Sequence, residues 1–446
     1  MSGRQIAVIG GGVVGLACAH YLLGRGHRVT VVERGREGHD CCSLGNAGYI
    51  SPSHFLPLAA PGIVGQALRW MGNPESPFYL KPRLDPDLIG WVWRFWRAAH
   101  PERAHAAGPL LRDLNLASRS LFIELAQATG DRFELRRDGC LALFQTEEGL
   151  RREAVHAARS EALGMPAPLL DAQGVAELEP EVTLRVHGGV HYVLDAHVTP
   201  ERFHATLVDL VRSAGGTIAY GAEVTGWRPE RGRIRGLVTP SGEIAADEYV
   251  LAAGATSARL LRGLGVRIPL QPGKGYSLTL DSPRERPRRP LLLQDVRVAI
   301  TPMGSRLRFG GTMELGAFGS EINPPRIRGL VRSAIRHLPA FRVEDFEGIR
   351  PWCGHRPCTP DGLPYVGRFP GFENLTLATG HAMMGLSMAP VTGLLVSEIL
   401  SGVAPSFPIT ALRPDRYAAR MPSSAPAATR RSSIAPAPAG GSGGTR

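Results

Sequence analysis

Apolar and polar positions follow two different periods along this chain, and the order of those periods outlines a fold. Gln5-Ile-Ala-Val-Ile9 is a short apolar, β-branched run closed at once by glycine, the pattern of a fully buried strand. From Leu16 to Leu23 the apolar residues recur at helical spacing, and Val29–Val32 then reads as a second buried strand ending on Glu33. Helices are predicted over Leu110–Thr129, Glu147–Leu163 and Pro200–Ala214, the last with Thr199 as its cap and Pro200 at its first position. Strands are predicted within Glu134–Gln145 and at Thr217–Ala222, Arg233–Val238 and from Glu248 toward Gly254. Residues 266–315 alternate like antiparallel sheet, most clearly at Lys274–Leu280 and Arg306–Gly311, and a last helix is predicted over Leu386–Ser401.

Strand–helix units therefore stand at the start, middle and end of the chain, with a sheet-rich body between them. The order predicts an α/β architecture of two domains, one of them discontinuous, and fits poorly with two contiguous domains. Residues 1–60, 196–262 and 340–417 are assigned to the first domain, 61–195 and 263–339 to the second. Ile63–His100 is rich in aromatics (Trp70, Trp91, Trp93, Phe95, Trp96) and is expected to pack in the second domain's core rather than to contact a membrane. After about Tyr417 the sequence becomes Ala/Pro/Ser/Gly/Arg without periodicity, and 418–446 is predicted to be a disordered tail.

Composition narrows the class. The chain has 446 residues, 43% hydrophobic and 20% charged, which suits a globular protein with room for two cores. No run approaches the roughly 20 apolar residues of a spanning helix. The first strand begins at Gln5, which leaves no room for a signal peptide. Six cysteines without a C-x-x-C spacing suggest neither zinc nor a disulfide framework, so no metal site is expected. A reduced, cytoplasmic protein is the expectation, with peripheral contact to the inner face of a membrane left open. The net charge of +11 comes from dispersed arginine with no basic run interleaved with aromatics, which argues against nucleic acid. A positive field drawing anionic substrates or an anionic membrane surface is the better reading.

The candidate chemistry starts between the first two strands. Gly10-Gly-Gly-Val-Val-Gly15 is a G-x-G-x-x-G placed after a strand, at the opening of a helix, and followed by an acid at the end of the next strand. In that arrangement Gly10 makes the turn, Gly12 lets a pyrophosphate reach the backbone, and Gly15 lets helix and strand pack closely. Helix amides then face the phosphates, and Glu33 can bond a ribose hydroxyl while repelling a 2′-phosphate. Gly10, Gly11, Gly12, Val13, Val14, Gly15, Glu33 and Arg34 are thus candidate contacts to an ADP-containing dinucleotide, FAD or NAD. There is only one such motif, so a second dinucleotide domain is not expected.

Further motifs carry a resemblance. Ser43-Leu-Gly-Asn-Ala-Gly48, Val250-Leu-Ala-Ala-Gly-Ala255, Gly354-His-Arg-Pro357, Thr359-Pro-Asp-Gly362 and Thr379-Gly-His381 follow the glycine motif in the order seen in the D-amino-acid oxidase/glycine oxidase superfamily. With Ile50-Ser-Pro52, Ala60-Pro-Gly62 and Lys274-Gly-Tyr-Ser277 added, the chain is most similar to bacterial D-amino-acid dehydrogenase small subunits, across residues 5–417. The resemblance implies noncovalent FAD in a Rossmann-like domain with an inserted antiparallel-sheet substrate domain. It implies that Ser43, Asn46, Ala47 and Gly48 run beside the cofactor, and that Val224 and Gly254 lie near adenosine. Gly380, His381 and Gly385 would meet the flavin, with the last helix aiming its dipole at it. Cys353 is offset from the position at which some relatives attach flavin covalently.

Arg356 is the candidate for substrate, because a guanidinium fork matches a carboxylate and Pro357 restricts its backbone. Arg350-Pro351 has the same local physics. The resemblance favours Arg356, since Gly-His-Arg-Pro is similar to the family's Gly-Leu-Arg-Pro, with His355 in place of leucine. Tyr276 is expected to cover the substrate or bond its carboxylate, and Tyr49 and His54 are weaker lining candidates. The implied reaction is oxidative deamination of an amino acid, D-amino acids foremost, to a 2-oxo acid and ammonia, with a quinone or other carrier as acceptor. An oxidase using O₂, a D-hydroxyproline-type dehydrogenase, and a flavoprotein subunit needing partner chains remain open.

Overall fold

The computed structural model describes residues 3–417, apart from positions 61, 82 and 317. The tail expected at 418–446 lies outside the described residues. Strand β1 (Gln5–Ile9), helix α1 (Val13–Gly24) and strand β2 (Arg28–Val32) form as the pattern predicts, with the helix opening one turn earlier, directly on the glycine motif. β1 lies between β2 and Glu248–Leu251 in a six-stranded sheet whose edges are Thr217–Ala219 and Tyr365–Arg368. Five of these strands are parallel; Tyr365–Arg368 alone runs antiparallel, against Leu375–Thr379.

β1 is apolar at every other step on both faces because both faces are covered. Ile6 and Val8 join a core with Leu16, Leu395 and Phe203, while Ala7 and Ile9 join Tyr249, Trp227 and Leu377 on the other side. α1 is apolar nearly all round because it is packed between this sheet and the helix Ala389–Ser401. A Cβ on Gly393 of that helix would lie 2.6 Å from the Ala17 carbonyl oxygen, so glycine sets their close crossing. The last helix starts at Ala389 rather than Leu386, since 386–388 are spent in the turn leading into it.

The second sheet has nine strands, running from Trp352–Cys358 through Gln271–Leu280, Arg306–Leu315, Val298–Met303 and Leu291–Leu293 to Cys140–Phe144 and beyond. The first of these corrects the expected boundary. Residues 352–358, assigned by sequence to the nucleotide-binding part, pair antiparallel with Gln271–Leu280 and belong to the second sheet. Helix Pro324–His337 covers one face, packing Leu330 and Ala334 on Leu278, Phe309 and Ile300. The other face carries Gly275, Gly310 and Ala299 and borders a large cavity toward the first sheet.

Candidate active site

At the end of β1 the chain turns at Gly10, whose φ of +111° and approach to the Ala252 carbonyl exclude a side chain. A Cβ on Gly15 would overlap the Gly10 carbonyl oxygen, so the third glycine is required by helix–strand packing. Gly12 caps α1 without a side-chain bond, and the first turn of α1 holds no acid. The Val13 amide donates to Ser43 Oγ at 3.2 Å, and Gly12, Val13 and Val14 at the start of the helix line the cavity, where a helix N-terminus suits an anion. Glu33 accepts from the Gly11 and Gly35 amides, each at 2.7 Å, which fixes its carboxylate at the end of β2. Arg34, Val224 and Gly254 line the same end of the cavity.

The 43–48 loop is held by the second sheet. Arg308 donates to the Leu44 and Asn46 carbonyls at 2.7 and 2.8 Å, and Thr301 donates to the Ala47 carbonyl at 2.7 Å. Asn46 Oδ1 accepts from the Gly48 amide at 2.8 Å, and Gly48 has a φ of +77° against the Val198 carbonyl. Ser43, Asn46 and Ala47 thereby line the cavity, whereas Gly11, Gly15, Gly48 and Gly380 lie behind its wall and shape it.

Arg356 sits on the edge strand of the second sheet, opposite Gly273. Its guanidinium lies over Gly275, where a Cβ would overlap it, so that glycine makes the room. One N–H donates to the Thr312 carbonyl at 2.8 Å, and among the described residues no acid comes within ion-pair distance. Burial opposes its charge, and its nearest ionisable neighbours are the thiols of Cys42 and Cys358. Arg350, the competing arginine, is exposed and does not border the cavity.

Thr312 was not indicated by the sequence. Lys274 pairs with Glu314 and Tyr276 with Gly311, so Gly275 alone faces both Thr312 and Met313, a β-bulge. Thr312 takes a φ of +62°, costly for a β-branched residue, and its buried hydroxyl has no partner. The bulge turns the Thr312 carbonyl toward Arg356.

Tyr276 borders the same cavity as Arg356, but its hydroxyl is engaged elsewhere. In the pairing register Tyr276 stands opposite Cys353 and shares a face with Lys274, whereas Arg356 is on the other face with Gly275. Its hydroxyl donates to Glu314 at 3.0 Å, so that group is spent on Glu314 and not turned to Arg356. His381 borders the cavity, but its ring Nε2 bonds Thr392 Oγ1 at 2.9 Å, and burial pulls its pKa down to about 4. Its side chain therefore ties the 380–385 turn to the last helix as a neutral imidazole, and Gly385 lines the cavity beside it.

Tyr49 and His54 line a further lobe, with Tyr49 donating to the Leu291 carbonyl at 2.8 Å. Asp195 in that lobe accepts from the Ser53 amide and hydroxyl, and burial pushes its pKa up to about 7.

A family model described as FAD dependent oxidoreductase matches residues 5–399. The chain belongs to this family. It is 36% identical to proteins named D-amino acid dehydrogenase from Methylobacterium nodulans and Xanthobacter autotrophicus, in each case over 93% of this chain and 99% of the relative. Glycine oxidase from Geobacillus kaustophilus has a similar structure, with a TM-score of 0.74 and 26% identity over 93% of this chain and 99% of that one.

The residues present fit the FAD of this oxidoreductase family. The uncapped amides at the start of α1 suit the pyrophosphate, Glu33 suits a ribose, and the cavity of about 1600 Å³ runs on from them past Asn46 and Ala47 to Arg356. No helix of the described residues is long and apolar enough to cross a membrane, and none of their His, Cys, Asp and Glu groups could hold a metal ion.

Proposed function

We propose that this FAD-dependent oxidoreductase is a dehydrogenase that oxidatively deaminates D-amino acids to 2-oxo acids and ammonia. The observation that carries the reading is Arg356. It is a guanidinium inside the cavity, with one N–H bonded to Thr312 and, among the described residues, no acid at ion-pair distance. An arginine offers five donors, so a fork remains for a carboxylate entering from the cavity. The chain's two relatives quoted above bear the name D-amino acid dehydrogenase, which supports the same substrate class.

Bound FAD would accept the hydride leaving the substrate Cα. Arg356 anchors the carboxylate and so fixes which face and which bond of the substrate are presented. Positioning of this kind supplies most of the effect, and the hydride step from a neutral amine requires no strong base. The resulting imine takes up water and releases ammonia. Gly10, Gly12, Val13, Val14, Glu33, Arg34, Ser43, Asn46, Ala47, Val224 and Gly254 would hold the cofactor without a covalent bond. Cys353 lies on the Tyr276 face of its strand, away from Arg356, and its thiol donates to the Ser320 carbonyl at 3.4 Å.

The electrons leave to a quinone or carrier. Turnover of purified holoprotein with D-amino acids and a redox dye, with slow release of H₂O₂ in air, is expected. Rapid, stoichiometric H₂O₂ release overturns the dehydrogenase reading in favour of an oxidase.

A further inference from the structure

The lobe of the cavity beyond Tyr49 and His54 holds charges that the deamination chemistry leaves unused. It is bordered by the hairpin turn 294–297 and by the helix Glu147–Ala162, which supplies Glu153 and His156. Ser53 satisfies part of it. Its amide and hydroxyl bond the two oxygens of Asp195, and its carbonyl bonds His156 Nε2 at 3.2 Å. Burial draws the His54 pKa down to about 4 and lowers that of His156, so both imidazoles are neutral at pH 7. Two charged groups keep free capacity. Glu153 Oε1 accepts from the Tyr192 hydroxyl at 2.6 Å and from Gln294 Nε2 at 3.5 Å, which leaves Oε2 to the lobe. Arg297 spends one N–H on Gln294 Oε1 at 2.7 Å, which leaves four donors. Both line the cavity, and among the described residues neither has an opposite charge at ion-pair distance.

Gln294 is bonded to each of the two charges and spaces them apart. Arg297 also holds a φ of +54°, a conformation costly for a residue with a long side chain. A turn that served only to join Leu291–Leu293 to Val298–Met303 would take glycine there without that cost. The lobe is within reach of a substrate anchored on Arg356. The Arg356 guanidinium bonds the Thr312 carbonyl, and Val298, next to Arg297, pairs with Gly311, next to Thr312. Anchor and lobe are thus one strand apart, about 5 Å of sheet. The cavity floor beside them is small or apolar, with Gly310 opposite Ala299 and Ala299 opposite Leu292. A side-chain carboxylate in the lobe would meet Glu153 as well as Arg297, and an ammonium would meet Arg297 as well as Glu153. A neutral carboxamide matches both, since its oxygen accepts from Arg297 while its N–H donates to Glu153.

We propose that this lobe reads the substrate's side chain and selects D-amino acids that end in a carboxamide, with Arg297 and Glu153 as its two contacts. This rests on the reading above, in which Arg356 anchors the α-carboxylate of the same molecule, and it gives the dehydrogenase its substrate class.

The test is a panel of kcat/KM values for the holoprotein with a redox dye. The better of D-glutamine and D-citrulline, whose longer side chain ends in the same pair of groups, should exceed the apolar D-norleucine about tenfold or more. D-glutamate and D-lysine should both fall below it. Glu153→Gln should raise the D-glutamate-to-D-glutamine ratio, and Arg297→Met the D-lysine-to-D-glutamine ratio, each about tenfold. A merely structural role would not move the two ratios in these separate directions. If neither D-glutamine nor D-citrulline exceeds D-norleucine, or if either variant leaves its ratio unmoved, the assignment of the lobe falls. The wild-type panel decides this even where a variant fails to hold flavin. No turnover with any D-amino acid sinks the dehydrogenase reading instead. The lobe is then judged by calorimetry with glutaramate and pentanoate, which carry the carboxylate but no oxidisable amine. Tighter binding of glutaramate supports the lobe, and equal or weaker binding overturns it.

Discussion

Replacing Arg356 by alanine removes the guanidinium held over Gly275, and the loss can be sized from its bonds. A charge-assisted contact to a carboxylate is worth roughly 3 kcal/mol, about a hundredfold in kcat/KM. The loss should reach at least that, because the substrate Cα also loses its placement. Arg356→Lys should recover only part. An ammonium keeps the charge, but it lacks the planar fork that bonds the Thr312 carbonyl while facing a carboxylate. Flavin content should stay near wild type in both, since Arg356 is held on the second sheet by the Thr312 carbonyl and takes no part in the turn at the start of α1. The assay is anaerobic flavin reduction at varied substrate concentration, with Arg350→Ala in parallel. Arg350 is exposed and outside the cavity, so that variant should behave as wild type. If Arg350→Ala loses saturation while Arg356→Ala keeps it, the assignment is off by one Arg-Pro pair.

Three further outcomes follow from neighbouring residues. Gly275→Ala puts a methyl where the guanidinium lies, and should raise KM toward the Arg356→Lys level while leaving melting temperature and flavin content nearly unchanged; unchanged KM would show that the arginine is not held there. Thr312→Gly relieves a φ of +62° and should raise the melting temperature, by roughly 1 kcal/mol of stability, while lowering kcat/KM; a drop in stability would mean the bulge is not strained. Asp195 has a folded pKa raised from 3.8 to about 7, so its favourable contribution is fully present below pH 3.8 and is lost as pH rises through 7. Asp195→Asn keeps the bond from the Ser53 amide on Oδ1 and can donate its Nδ2–H to the Ser53 hydroxyl, without titrating. Its stability advantage over wild type should grow across that window to the order of 4 kcal/mol at most and then level off, as read by thermal melts against pH. A pH-independent difference would contradict the burial argument.

Local patterns carried the β1–α1–β2 unit, because much of what its glycines answer is made nearby: the left-handed turn at Gly10, the overlap at Gly15, the carboxylate of Glu33 across the loop; the approach of the Ala252 carbonyl to Gly10 was not legible. Arg356 stands out in the sequence by its dipeptide and by resemblance; its surroundings, Gly275 and the Thr312 carbonyl, do not. Register was not legible. Which face Tyr276 takes depends on pairing with Cys353, some eighty positions away, and a shift of one residue exchanges the faces. For the same reason the domain boundary was placed before rather than after Trp352–Cys358. Thr312 gave no signal, since a bulge exists only relative to its partner strand. In the helix Pro86–Ala98 two interleaved apolar stripes share one composition, so counting aromatics could not separate the buried Trp91 from Trp93 and Trp96, which are exposed and correct the expectation that this stretch packs in the core.

The central claim is that a carboxylate held on Arg356 presents a D-amino acid to the cofactor. Anaerobic mixing of the holoprotein with paired D- and L-amino acids, followed by the visible absorbance of oxidised flavin, tests it most directly. Saturable bleaching is expected with D-enantiomers and not with their L-counterparts, and it should weaken about a hundredfold in Arg356→Ala. Bleaching by L-enantiomers alone, by no amino acid at all, or with equal efficiency in Arg356→Ala would contradict the account.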